Sequence, residues 1–198
     1  MRTLQQQLTR LLTVVALLLG GLVLTGAPAA TAAVQQAQSG ATTTICGYTP
    51  VPAGWVILGQ TSAGCSGYGQ RTIMQLTTET TVQACANSPI PDGWVITSMQ
   101  NVTGCGSFPQ YTLLRITTQT TVTDCAQSAI PGGWVVTAIR TSGTPCGTYG
   151  VYTILKITDE TGVQVCGNST IPVGWTVTGQ GSGSQCGVYV VYNIRKTA

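Results

Sequence analysis

Along the chain the apolar positions fall into one long early run and then into short alternating stretches. Arg2 and Arg10 flank a polar start, and the 14 residues from Leu11 to Leu24 are uncharged and largely apolar. The small residues APAATAA, 27 to 33, follow that run. A basic start, a short apolar centre and a small-residue exit predict a secretory signal peptide over 1–33, cut near Ala32 or Ala33. A membrane anchor is the competing reading, but a spanning helix needs about 20 such residues. No later stretch is apolar enough to span, so no membrane span is expected in the mature chain. Residues 34–45, rich in Gln, Ala and Thr, read as a flexible leader.

From residue 46 onward the pattern repeats about every 40 residues. Trp55, Trp94, Trp134 and Trp175 stand in the frames VPAGW, IPDGW, IPGGW and IPVGW. A cysteine lies nine residues before each Trp (Cys46, Cys85, Cys125, Cys166). Another follows it by 10 to 12 residues (Cys65, Cys105, Cys146, Cys186), and three residues later comes Tyr68, Phe108, Tyr149 or Tyr189. Four matching copies establish an internal repeat, with units at 46–84, 85–124, 125–165 and 166–198.

Alternation after each Trp (Trp94/Ile96, Trp134/Val136) predicts a half-buried strand, with Gly59, Ser98, Ala138 and Gly179 continuing the same face. A second strand follows the second cysteine, as in YTLLRIT, and a short third ends in the next cysteine, as in TTVQAC. The Pro-x-Gly before each Trp predicts a turn whose Gly takes φ > 0. All length variation lies between the Trp and the second cysteine, in GQTSAG, SMQNVTG, AIRTSGTP and GQGSGSQ, which therefore read as exposed loops. The expected fold is all-β: four tandem antiparallel units, each stapled by a disulfide.

Units of this size bury too little surface to fold comfortably alone, and exported domains make up the deficit with disulfides. Repeat symmetry leaves two pairing schemes. Bridges within repeats (Cys46–Cys65, Cys85–Cys105, Cys125–Cys146, Cys166–Cys186) make every copy self-sufficient and are preferred. The shifted scheme (Cys65–Cys85, Cys105–Cys125, Cys146–Cys166) leaves Cys46 and Cys186 to close a ring. CxxC spacing is absent, so no metal is expected.

Composition narrows the chemistry. The chain has no histidine, which removes Ser-His-Asp and Cys-His catalysis and imidazole ligation. Its net charge is +3, or +1 without Arg2 and Arg10 (6 − 5), too little for nucleic-acid binding. The acids Glu79, Asp92, Asp124, Asp159 and Glu160 share no column across all four units. No catalytic residue and no cofactor is expected. The sequons at Asn101 and Asn168 matter only in a eukaryotic secretory pathway.

Two columns are candidates for binding. The tryptophans could stack on sugars, but each shares a face with Ile or Val, so they read as structural core. The stripe Tyr111/Leu113/Arg115, Tyr152/Ile154/Lys156 and Tyr192/Ile194/Lys196 would give a repeated aromatic and cationic surface. The bindable residues are thus Tyr111, Arg115, Tyr152, Lys156, Tyr192 and Lys196, against the plainer reading of a cation keeping an outward face soluble.

The motif C-x5-P-x-G-W-[VT]-[IV], from Cys85 to Val95 and in its counterparts, resembles repeats in small exported bacterial proteins of uncharacterised function. That resemblance covers 46–198 and implies a bacterial, secreted origin without supplying an activity. The expected role is multivalent binding of polysaccharide, cell wall or extracellular protein, with several weak sites adding through avidity. The alternative is a secreted inhibitor acting through one cystine-flanked loop, best represented by 138–145 with Arg140 and Pro145.

Overall fold

The turn that starts each unit follows from its sequence. The Trp N–H donates to the carbonyl of the Pro three residues earlier, at 3.1 to 3.2 Å in all four copies. The intervening Gly54, Gly93, Gly133 and Gly174 sit at φ between +77° and +83°, where a side chain would be strained. Proline fixes the entry, glycine permits the reversal, and the Trp begins a strand.

The computed structural model describes residues 40–141 and 145–197. The expected signal peptide and residues 34–39 of the leader lie outside the described residues. The strands are β1 (Thr42–Cys46), β2 (Trp55–Thr61), β3 (Gln70–Gln75), β4 (Thr81–Cys85), β5 (Trp94–Gln100), β6 (Gln110–Arg115), β7 (Thr121–Cys125), β8 (Trp134–Arg140), β9 (Val151–Lys156), β10 (Val163–Cys166), β11 (Trp175–Gly181) and β12 (Val191–Lys196). They form four antiparallel three-stranded sheets, ordered β1-β3-β2, β4-β6-β5, β7-β9-β8 and β10-β12-β11.

This pairing moves the unit boundaries. The strand ending in Cys85 was expected to close the first repeat, but it pairs with β6 and opens the second sheet. Each folded unit therefore begins a strand before its first cysteine. Likewise Thr42–Ile45, expected in a flexible leader, pair with Arg71–Met74 as β1.

The strand after each Trp also departs from simple alternation. Its register shifts between Ile57 and Gly59, and at Ile96/Ser98, Val136/Ala138 and Val177/Gly179. One extra residue in the strand, a β-bulge, reverses the faces beyond it. Hence Gly59, Ser98, Ala138 and Gly179 do not continue the Trp face. At the bulge the hydroxyls of Thr97, Thr137 and Thr178 donate to the carbonyls of Thr112, Thr153 and Asn193 at 3.1 to 3.2 Å.

The four disulfides lie within repeats: Cys46–Cys65, Cys85–Cys105, Cys125–Cys146 and Cys166–Cys186, with Cα–Cα distances of 5.3 to 5.5 Å. No bond ties Cys46 to Cys186, so the ring scheme is excluded. Covalent bridges of this kind suit an oxidising, extracellular setting. Among the described residues, no helix is long and apolar enough to cross a membrane.

The units bury one another. Ile57 and Ile73 cluster with Cys85 and Cys105 of the next unit, while Val56 and Met74 cluster with its Val82 and Ala84. Both faces of the central strand are thus covered, which explains the consecutive apolar pairs Ile73-Met74, Leu113-Leu114 and Ile154-Leu155. The first and last described units depart from this pattern. In the last unit Thr176 pairs with Arg195 where earlier units pair Val56 with Met74, Val95 with Leu114 and Val135 with Leu155. In the first, Thr43 replaces Val82, Val122 and Val163. Trp94 and Trp134, with neighbours on both sides, are buried; Trp55 and Trp175 are half-buried.

A polar stitch runs across each seam. Three residues after its first cysteine, each later unit places a buried serine whose Oγ accepts a backbone N–H from the unit before. The bonds are Ile57 to Ser88 (2.8 Å), Ile96 to Ser128 (3.1 Å) and Val136 to Ser169 (3.0 Å). These N–H groups lie on the edge strands β2, β5 and β8, so the serines satisfy edges that would otherwise be open.

Candidate binding surface

The Tyr-aliphatic-cation stripe occupies the central strands β6, β9 and β12 and does not form an open surface. Leu113, Ile154 and Ile194 are 0 to 1% exposed. Tyr111, Tyr152 and Tyr192 are half-buried and pack against the core clusters. Burial, with Tyr189 as the next cause, raises the Tyr152 hydroxyl above the usual tyrosine range, while a hydrogen bond with Asn168 acts the other way. Two of the cations brace the linkers between units. Arg115 donates to the Thr77 carbonyl at 2.9 Å, and Lys196 donates to the Thr158 carbonyl and pairs with Asp159 at 2.9 Å. Lys156 is exposed on the equivalent position of β9. The alternation suggested an outward face because a cation ends it, yet Arg115 and Lys196 serve the chain and the aliphatic residues are interior.

Three of the acids are likewise engaged in the linkers. Glu79 and Glu160 accept the N–H groups of Thr77 and Thr158 in the linkers at 2.6 and 2.7 Å. The Thr158 N–H is the first cause holding the Glu160 carboxyl below the ordinary glutamate range, and Lys196 lowers Asp159. Asp92 is exposed in a Pro-x-Gly turn. Asp124 is fully buried on β7, and neither carboxyl oxygen has a hydrogen-bond partner among the described residues. Burial pushes its pKa up to about 7.

The segment expected as an inhibitory loop, 138–145, begins inside a strand: Ala138, Ile139 and Arg140 belong to β8. Residues 142–144 lie outside the described residues. At the far end the Pro145 carbonyl accepts the Met99 N–H at 2.7 Å, which fixes that end to the preceding unit.

What the fold does expose, once per unit, is the aromatic three residues after the second cysteine. Tyr68, Phe108, Tyr149 and Tyr189 are 70, 42, 48 and 44% exposed. Each backbone N–H donates to the carbonyl of its cysteine at 3.1 to 3.3 Å, so a tight turn anchored on the disulfide carries the ring. Gly106, Gly147 and Gly187, each directly after the cysteine, take φ of +60° to +64° to allow that turn. The spacing was visible in the sequence. Its meaning was not, because an aromatic outside an alternating strand carries no sign of which way it faces. Four rings held on rigid turns can stack on flat apolar surfaces such as sugar rings while their edges stay wet.

No family model, curated protein or solved structure matches this chain.

Proposed function

We propose that the protein is secreted and acts outside the cell as a non-catalytic, multivalent binding protein for extracellular or cell-envelope polymers, polysaccharides foremost. The observation that carries this reading is the column Tyr68, Phe108, Tyr149 and Tyr189, which stays exposed in all four units while the central strands bury Ile73, Leu113, Ile154 and Ile194. Exposed aromatics repeated in register favour interaction over stability. Each ring supplies a weak contact, on the order of 1 kcal/mol, and a polymer that engages several at once gains affinity through effective concentration. The cystines and serine stitches keep the rings fixed, so little ordering entropy opposes binding.

Retention on insoluble glycans and isolated cell walls tests the proposal. The full chain should be retained on at least one of them, and the variant with all four aromatics changed to Ala should be released at far lower polymer excess. Equal retention of the two proteins, with both folded, would overturn it.

A further inference from the structure

The first and last described units differ in what they expose. The last unit ends in Thr176 and Arg195, both exposed. The first instead shows two rings, Tyr48 at 68% and Tyr68 at 70% exposure, packed edge to face with centroids 5.4 Å apart. Tyr48 stands where the later units have Asn87, Gln127 and Asn168, and Arg71 stands where they have Tyr111, Tyr152 and Tyr192. Solubility alone would not place aromatic rings there.

Arg71, together with Tyr68, lines an open cleft of about 220 Å³ that also reaches Gly106 of the second unit. Its walls include Tyr68, Arg71, Gln70, Thr61, Ser62 and Gln60. Gln60 is locked by the second unit: its amide donates to the Cys105 carbonyl at 2.6 Å and accepts from Asn87 at 3.0 Å. Arg71 is opposite Gln60 in the sheet and has no carboxylate partner among the described residues, where the salt bridge is Lys196–Asp159. A planar, permanently charged fork in a cleft of amides and hydroxyls suits a carboxylate held bidentately. The neighbouring ring face suits a saccharide. The cleft offers hydroxyls and amides to the remaining sugar oxygens and no deep apolar hole for a peptide side chain.

We infer that the first unit carries a subsite for an acidic sugar residue of the uronate type, with its carboxylate on Arg71 and its ring on Tyr68. This rests on the polymer-binding reading and names the residue class that the first unit selects.

Calorimetric titration of the full chain with trigalacturonate and with its methyl ester tests it. The free acid should bind at least tenfold more tightly than the ester. Arg71→Gln should remove that preference, and Arg71→Lys, which keeps the charge but not the fork, should restore only part of it. The variant F108A/Y149A/Y189A leaves Tyr68 and Arg71 intact. It should keep the acid preference even as retention on insoluble polymer falls. If instead retention is unchanged while the Arg71-dependent preference persists, the column fails and the subsite stands. Equal affinity for acid and ester, an Arg71→Gln variant indistinguishable from the parent, or tighter binding of a peptide carboxylate than of trigalacturonate would each overturn the subsite.

Discussion

Each disulfide carries two turns closed by the same hydrogen bond, and they do opposite things. After the first cysteine, Cys-x-x-Ser places a buried hydroxyl in a seam, as at Ser88, Ser128 and Ser169. After the second, Cys-x-x-aromatic places a ring in solvent, as at Tyr68, Phe108, Tyr149 and Tyr189. In both, the fourth residue donates its N–H to the cysteine carbonyl. One cystine thus fixes the joint between units and the displayed group together. The serine side should control stability, and the aromatic side should control binding.

The largest effect should come from removing a cystine, because it releases both turns. In the chain-entropy model a bridge closing about 20 residues contributes about 3 kcal/mol. The pair Cys85→Ala/Cys105→Ala should cost that and roughly 1–2 kcal/mol more, since both sulfurs are 0% exposed beneath Ile57 and Ile73. The pair Cys46→Ala/Cys65→Ala, half-buried and unroofed, should lose little beyond the entropic share. Denaturant unfolding of the two variants compares them directly.

A buried carboxyl makes the third unit sensitive to pH. Burial raises Asp124 to about 7, so the folded chain holds this proton more tightly than the unfolded chain. Its contribution is complete below the ordinary aspartate value. Stability then falls as pH rises from about 4 to about 7, by roughly 1.4 kcal/mol per pH unit. Asp124→Asn should flatten that slope in melts recorded between pH 4 and pH 8; an unchanged slope would mean that Asp124 is not the group responsible.

The stitch itself is the next step down. Ser128→Ala leaves the Ile96 N–H without its acceptor and should cost about 1–3 kcal/mol. Thr49→Ala, the matching position of the first unit, faces no preceding unit among the described residues and should change stability by less than about 0.5 kcal/mol. Equal costs at the two positions would show that the hydroxyl works within its own unit instead of across a seam.

Much of this division could be read from the residues alone. Repeat symmetry narrowed the disulfides to two schemes and favoured the one found, and Pro-x-Gly-Trp predicted the turn. Three features could not be read that way. The bulge at Leu58, Thr97, Thr137 and Thr178 leaves no trace in an alternating pattern, because either parity looks reasonable beyond it. The strand before each cysteine lies between two units, and only pairing decides which one owns it. Arg115 and Lys196 looked like surface cations because a linker carbonyl offers no signature in sequence. The Cys-x-x-Ser motif was present but ordinary in a chain rich in Ser and Thr.

The smallest expected effect on stability belongs to the aromatics, and there the account is most exposed. Single changes of Tyr68, Phe108, Tyr149 or Tyr189 to Ala should leave the unfolding free energy within about 0.5 kcal/mol. Polymer depletion with the single, double, triple and quadruple variants is the most direct test. The account predicts that apparent affinity falls several-fold with each ring removed and that the losses compound, while unfolding midpoints stay nearly constant. A quadruple variant that binds its polymer as tightly as the parent, at unchanged stability, would contradict it.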